Sequence, residues 1–365
     1  MTATLTDRFP QVPADHLLAG FVPPRHFADA RLSTYLPDPE HPGQAAARDR
    51  MAALAAELDR AQRRFPRRRR PLPAVYLDGG FGVGKTHLLA ATAHEVGQDA
   101  AAYGTFVEYT HLVGALGFAE TVRALTRRRL VCIDEFELDD PGDTLLVSRL
   151  LRELSDAGVA VAATSNTLPD SLGEGRFAAE DFRREIQALA ARFEVLRVDG
   201  PDYRHRTAPR TAPGRPDAEV RAATARVPGA TCDDAEAVVA HLRTVHPVRY
   251  GALLDGVTLV GLTGVRPLTD QADALRLVVL VDRLYDRDVP VLVGGAGTEG
   301  LFDAAMLRGG YRKKYLRALS RLAELGEAGS ALVAGAGPDP RDGQARGSGG
   351  PSTATARPGT STRSP

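Results

Sequence analysis

The sequence predicts an α/β chain in which a doubly wound, parallel-sheet domain is followed by a smaller C-terminal α/β module. Three observations carry that expectation. From Pro73 onward, short continuous apolar runs alternate with helical stretches, the pattern of strands covered on both faces by helices. A glycine-rich turn joins the first such run to the first such helix, and a later run ends in two adjacent carboxylates.

Taken in order, residues 1–72 read as an N-terminal arm and a helix. Prolines crowd residues 1–40. Gln44 to Arg63 then places Met51, Leu54, Ala55 and Leu58 at helical spacing, ending at Phe65-Pro66. The Arg67–Arg70 run that follows reads as a solvated connector, with contact to phosphate or acidic lipid as the alternative.

Within the core, residues 73–206, strands are expected at Ala74–Leu77, Phe106–Tyr109, Leu130–Ile133, Val159–Ala163 and Glu194–Val198. The helices between them are Lys85–Val96, His111–Leu125, Thr144–Ala157 and Ala178–Arg192. Residues 207–229, rich in Pro, Arg, Ala and Thr without periodicity, read as a linker.

The smaller module, residues 230–326, opens on a helix at Asp233–Val245. Strands Thr258–Val265 and Val289–Val293 flank an Asp270–Tyr285 helix as a βαβ unit, and helices near Glu299–Leu307 and Lys314–Leu325 close it. Residues 327–365 carry a Gly/Ser/Pro/Thr bias that predicts a disordered tail.

Composition narrows the function classes. With 46 basic against 46 acidic side chains, global charge predicts no polyanionic partner. Cys132 and Cys232 are too few for a disulfide scaffold or a four-cysteine zinc site, which fits a reducing, cytoplasmic setting. No secretory signal or membrane span is readable, so an integral membrane protein is not expected. His87, His94 and His111 lack the spacing of a zinc-hydrolase pair, and no Ser–His–Asp arrangement can be read. Lys85, Lys313 and Lys314 are the only lysines, which draws attention to each.

Gly79-Gly80-Phe81-Gly82-Val83-Gly84-Lys85-Thr86 fits the phosphate-loop pattern G-x-x-x-x-G-K-[ST], and His87 follows at the start of the helix. Glycines let backbone N–H groups wrap a phosphate, and the helix N-terminus adds a positive dipole. Lys85 is placed to reach the β and γ phosphates of ATP, and the Thr86 hydroxyl to hold Mg²⁺. Leu130–Glu135 is the apolar strand with the acidic tip. Asp134 is read as the second magnesium ligand and Glu135 as the group that activates water. Ala162–Asn166 ends the next strand, and Asn166 is expected beside these acids, bonding the γ phosphate or the water. A turn-forming Asn before Leu168-Pro169 is its rival reading.

Beyond these generic motifs, Val131–Glu137 (VCIDEFE), Ala163–Asp170 (ATSNTLPD), Asp202–Arg206 (DYRHR), Val281–Asp286 (VDRLYD) and Arg317–Glu324 (RALSRLAE) follow Leu77–Leu89 (LDGGFGVGKTHLL) in order. Together they resemble the ZapE-like (AFG-type) branch of the AAA+ ATPases, in an actinobacterial-type form. The resemblance implies a P-loop NTPase core of the AAA+/ASCE kind, ATP and Mg²⁺ as ligands, and a hexamer-forming homo-oligomer in which a neighbour supplies an arginine to the γ phosphate. Relatives usually carry Gly-Leu-x-Arg there. This chain has Gly175-Arg176-Phe177 and then Phe182-Arg183-Arg184, so Arg176 is the first candidate and Arg183 and Arg184 the alternatives. Arg204, Arg206, Arg317 and Arg321 are implied candidates for sensing the γ phosphate within the same chain. The lead-in Phe27–Gln44, with Tyr35 and Pro37, is implied to border the adenine.

The function expected is ATP hydrolysis coupled to remodelling of a protein client. The resemblance implies a division-ring component or a quality-control substrate at the inner face of the membrane. A helicase-loader-like, nucleic-acid-associated ATP switch is the alternative, motivated by Arg67–Arg70, Arg127–Arg129 and the basic linker. A small-molecule P-loop kinase ranks third.

Overall fold

The computed structural model describes residues 3–13, 17–63, 74–80, 82–137, 141–168, 172, 183–201 and 212–335. Helix α1 (Pro42–Arg63) precedes a core built from β1 (Ala74–Asp78), α2 (Lys85–Val96), β2 (Ala101–Thr105), α3 (Phe106–Leu116), α4 (Phe118–Leu125) and β3 (Leu130–Asp134). It continues through α5 (Pro141–Asp156), β4 (Ala160–Ser165), α6 (Arg183–Ala190) and β5 (Phe193–Arg197). These strands form one five-stranded sheet in the order β2-β3-β4-β1-β5, and every pairing is parallel. The core is therefore a parallel α/β sheet of the P-loop kind.

Strand alternation divides the sheet between two apolar layers. Val75 and Leu77 join Met51, Leu54 and Leu58 of α1 and Leu88 and Leu89 of α2 on one face. Tyr76 joins Phe106, Tyr109 and Leu112 of α3 and Leu150 and Leu154 of α5 on the other. With both faces covered, the polar groups gather at the carboxyl ends of the strands, where β4 lies between β1 and β3.

The second module contains α7 (Asp217–Thr224), β6 (Ala230–Asp234), α8 (Ala235–Leu242), β7 (Leu259–Thr263), α9 (Gln271–Asp286), β8 (Val291–Val293) and α10 (Arg312–Gly335). Its strands pair in parallel in the order β6-β7-β8. The N-terminal arm fastens to it. Ala3 bridges Thr231, Leu5 is only 1% exposed, and Asp233 accepts from Leu5 N at 2.9 Å, Thr6 N at 3.1 Å and Thr6 Oγ1 at 3.0 Å. Farther on, Leu17, Leu18 and Phe21 are buried against the core of the five-stranded sheet, so the arm joins both units.

Several expectations need correcting. Phe106–Tyr109 is helical, because Thr105 accepts from Glu108 N while Glu108 caps Thr105 N, a reciprocal capping box. The strand is Ala101–Thr105 instead. The single helix expected over His111–Leu125 breaks at Gly117. Residues 217–224, assigned to a linker, form α7, whose Val220 and Ala223 pack with Leu259 and Leu292 of the second sheet. Asp233–Val245 is β6 running into α8, Glu299–Leu307 is mostly turns, and α10 continues through Gly335 into the expected tail.

Candidate functional site

The loop from Gly79 to Gly84 connects β1 to α2, as its sequence pattern requires, and Phe81 within it lies outside the described residues. Two of its glycines are dictated by space and torsion. Gly84 has φ +91, and a Cβ there would lie 2.5 Å from the Tyr35 ring; a Cβ on Gly79 would meet the Val198 carbonyl at 2.1 Å. Tyr35 also donates its hydroxyl to the Val83 carbonyl at 3.1 Å, so the lead-in segment braces the loop from outside.

Lys85 folds back over this loop. Its Nζ donates to the carbonyls of Gly79, at 2.9 Å, and Gly80, and to Asn166 Oδ1 at 2.9 Å. The neighbouring strand tip thus holds the loop lysine. His87, by contrast, turns to the lead-in: its Nε2 is 3.1 Å from the Arg31 carbonyl and 3.4 Å from Thr34 Oγ1.

Asp134 ends β3 with a carboxylate only 7% exposed. Oδ1 receives Thr86 Oγ1 at 3.3 Å, Thr164 Oγ1, and Glu135 N at 3.2 Å; Oδ2 receives the Tyr103 hydroxyl at 2.8 Å. Burial, with Glu135 alongside, raises the Asp134 carboxyl above its ordinary range, and the hydroxyls of Thr164, Tyr103 and Thr86 pull the other way. A threonine hydroxyl and an oriented carboxylate within 3.3 Å form a hard-oxygen pair that fits Mg²⁺.

Glu135 adopts φ +51, a left-handed conformation rare for a residue with a side chain. Its amide is held by Thr164 Oγ1 at 3.1 Å, and the next amide, Phe136 N, by the Thr164 carbonyl at 2.7 Å. This turn swings the Glu135 side chain away from β3 toward α10, where Arg317 donates to Oε2. Arg317 also donates to Asp282 Oδ2 of α9 at 3.0 Å, and Arg321 donates to Asp282 Oδ1. Burial works against the Arg317 charge, but Asp282 and Glu135 outweigh it and hold the guanidinium firmly protonated. Burial likewise opposes ionisation of Asp282, and Arg317 and Arg321 reverse that to keep its carboxyl below the usual range.

One groove of about 2370 Å³ runs between the two units and is lined at this end by Lys85, Thr86, Asp134, Glu135, Asn166 and Arg317. The structure thus brings the loop lysine, both acids, Asn166 and two of the implied sensing arginines to one place. Arg184 is exposed on α6, and Arg176, Arg204 and Arg206 lie outside the described residues, as does the Arg67–Arg70 run.

Tyr103, Thr164 and Asp282 were not singled out from sequence. Thr164 was within reach, since it stands at the carboxyl end of β4, two residues before Asn166. Tyr103 was hidden by the misplaced second strand, and Asp282 by a bond that only tertiary folding creates.

The family model described as AFG1-like ATPase matches residues 11–218 and 211–330, nearly the whole described chain. The chain belongs to the AFG1-like ATPase family. That membership supports ATP hydrolysis as its activity, and a fold of this kind implies ATP and Mg²⁺ binding in general. Cell division protein ZapE of Escherichia coli (strain K12) is 30% identical over 148 residues, 38% of this chain and 40% of that protein. An uncharacterized protein of Schizosaccharomyces pombe is 28% identical over 155 residues, 36% of this chain and 32% of its own length. The chain thus spans well under half the length of these curated relatives, and nothing in them supports an actinobacterial type. Among solved structures, DnaI is similar at 20% identity and a TM-score of 0.40, covering 50% of this chain and 94% of that one. The DnaC helicase loader is similar at 15% identity and a TM-score of 0.34, covering 48% and 99%.

Proposed function

We propose that this chain hydrolyses ATP and uses the cycle to remodel a partner protein. The observation that carries the reading is the meeting of Lys85, Thr86, Asp134, Glu135 and Asn166 at the carboxyl ends of β1, β3 and β4, with Arg317 reaching them from the second module. Lys85 would exchange the carbonyls of Gly79 and Gly80 for phosphate oxygens, and the loop amides would receive the rest. Thr86 and Asp134 would hold Mg²⁺, which, when bound, neutralises charge on the phosphates. Glu135 would take the proton of the attacking water, and Asn166 would orient that water or the γ phosphate.

Arg317 and Arg321 sit on the far side of the groove, on a different module from the phosphate loop. A ligand drawn to both sides would move one unit against the other, which is how hydrolysis becomes motion. Arg176 of a neighbouring copy in a hexameric homo-oligomer is the proposed trans finger. A client in cell division or protein quality control, with peripheral contact at the inner membrane face, is the corresponding cellular reading; the name of the Escherichia coli relative supports its first half. No helix among the described residues is long and apolar enough to cross a membrane.

The second reading is a helicase-loader-like switch on nucleic acid. In its favour, the groove is also lined by Arg276, Arg312, Lys313 and Lys314. Against it, Arg128 bonds the Gln98 and Asp99 carbonyls and Arg129 those of Leu58 and Val96, so two of the three arginines of the Arg127–Arg129 run are tied to the backbone, while Arg127 is exposed.

The test is Lys85→Ala, expected to abolish turnover, beside Glu135→Gln, expected to bind ATP while hydrolysing it about a hundredfold or more slowly. Affinity capture with Glu135→Gln in ATP then separates the partner classes. A protein client supports the first reading, and recovery of nucleic acid alone supports the second. Full turnover by Glu135→Gln would remove Glu135 from its role.

A further inference from the structure

We infer that Asp282 is a positioning residue that divides Arg317 between Glu135 and the terminal phosphate of bound nucleotide. The inference rests on the ATPase reading above and extends it to a residue that does not touch the reacting atoms.

Three observations lead there. Both carboxylate oxygens of Asp282 are engaged by arginines of α10, Oδ2 by Arg317 and Oδ1 by Arg321. Arg321 is further held with its guanidinium 4.7 Å from the centre of the Tyr285 ring, one turn along α9 from Asp282. Arg317 completes the chain by donating to Glu135, and its Nε is buried with no hydrogen-bond partner. A fork of donors in which two nitrogens meet carboxylates and a third meets nothing is prepared for one more acceptor. Lys85, Asn166 and Glu135 line the same groove, so an anion seated on the phosphate loop enters within the field of Arg317.

The arrangement has a consequence for the base. While Arg317 is bonded to Glu135, that carboxylate has an acceptor position occupied and is poorly placed to receive a proton from water. A terminal phosphate would draw Arg317 off Glu135 and release the base at the moment substrate arrives. Asp282 sets how readily this happens, because its charge competes with both acceptors for one guanidinium. Arg283, Asp286 and Glu108 complete the ionic surroundings, and Arg283 is paired with both of these acids. The second module therefore senses the terminal phosphate through a carboxylate of its own.

Asp282→Asn keeps the shape and removes the charge. Without it, Arg317 loses its competing anchor on α9 and turns more readily to the multiply charged terminal phosphate than to the single charge of Glu135. The expected result in the full chain is an affinity for a fluorescent ATP analogue, relative to its ADP counterpart, raised about fivefold or more, with kcat and KM falling together. In an Arg317→Gln background the same change is expected to leave that ratio unaltered, because the two act as a unit. Asp282→Glu, which retains the charge, should keep the wild-type ratio. Arg321→Gln, which frees Asp282 to hold Arg317 more tightly, should lower it and serves as the readout if Asp282→Asn does not fold. A merely structural role for Asp282 predicts a lower melting temperature with KM rising, and that result would overturn the assignment. So would an unchanged ratio, or the same shift in the Arg317→Gln background. If the unsubstituted chain binds neither nucleotide, the ATPase reading fails and takes this inference with it; if it binds and hydrolyses ATP while the variants show no coupling, the inference alone fails.

Discussion

Tyr103 donates its hydroxyl to Asp134 Oδ2 at 2.8 Å from the adjacent strand, so the carboxylate at the tip of β3 is locked from the side opposite Thr86. The phenol is itself buried, which holds it protonated and makes it a fixed donor. Tyr103→Phe removes the donor and keeps the ring. The expected cost is about 1 kcal/mol of folding stability. A second effect follows if Asp134 is a metal ligand: the Mg²⁺ concentration for half-maximal nucleotide binding should rise about tenfold, since groups that orient a ligand tune affinity by that order. A magnesium titration of fluorescent ATP-analogue binding checks it, and an unchanged midpoint would leave Tyr103 with a packing role only.

What the sequence reveals and what it hides divide along physical lines. β1, β3 and β4 are legible because Ala74–Leu77, Leu130–Ile133 and Val159–Ala163 are unbroken apolar runs, and the phosphate loop is legible because its glycines, lysine and threonine each answer a local need. β2 and β6 are not. Ala101–Thr105 and Ala230–Asp234 are weakly apolar, and the β-prone Phe106–Tyr109 is captured by the helix that Thr105 and Glu108 cap. In the chain's last stretch Gly329 suggests disorder, but it lies inside α10 where a Cβ would meet the Val291 carbonyl at 2.3 Å, so close packing on β8 explains it. The least legible part of the site is the Arg317–Glu135 pair, whose members are 182 residues apart and meet only once the second module has docked.

Asp286, on the side of α9 facing the core, gives a pH signature. Burial pushes its carboxyl up to about 7, with Arg321 and Arg283 opposing the rise and Glu108 and Asp282 adding to it. An unfolded aspartate titrates near 3.9. Between about pH 4 and pH 7 the native chain thus retains a proton that the unfolded chain loses, and stability falls as pH rises across that window. Asp286→Asn cannot lose a proton. It should flatten the fall, gaining on the unsubstituted chain by up to about 4 kcal/mol at pH 8 relative to pH 4. Melting temperatures across that range check the sign, and parallel curves for the two proteins would refute it.

Asp233 tests whether the N-terminal arm is bound as tightly as its contacts indicate. Its carboxylate accepts from two amides and a hydroxyl of Leu5 and Thr6, and the Leu5 side chain is buried in the core of the second module. Asp233→Ala leaves those amides without their acceptor, at a cost of about 1–3 kcal/mol. Hydrogen exchange at Leu5 and Thr6 should accelerate, while exchange in β1, β3 and β4 stays unchanged. Acceleration spread evenly over both sheets would mean that the arm unfolds with the whole molecule rather than as a separate fastening.

Gly84 tests the loop. Its φ of +91 lies where a side chain is strained, and a Cβ there would lie 2.5 Å from a carbon of the Tyr35 ring. Gly84→Ala therefore has to shift Tyr35, and with it the bond from Tyr35 to the Val83 carbonyl. The expected loss of stability is about 1–3 kcal/mol. Tyr35→Phe, which keeps the ring and removes only the hydroxyl, should cost about 1 kcal/mol or less. The two variants separate strain from bracing. Nucleotide affinity should fall severely in Gly84→Ala and mildly in Tyr35→Phe, and calorimetric titration with ATP measures both. Equal losses would mean that the hydroxyl brace, and not the glycine's torsion, shapes the loop for phosphate.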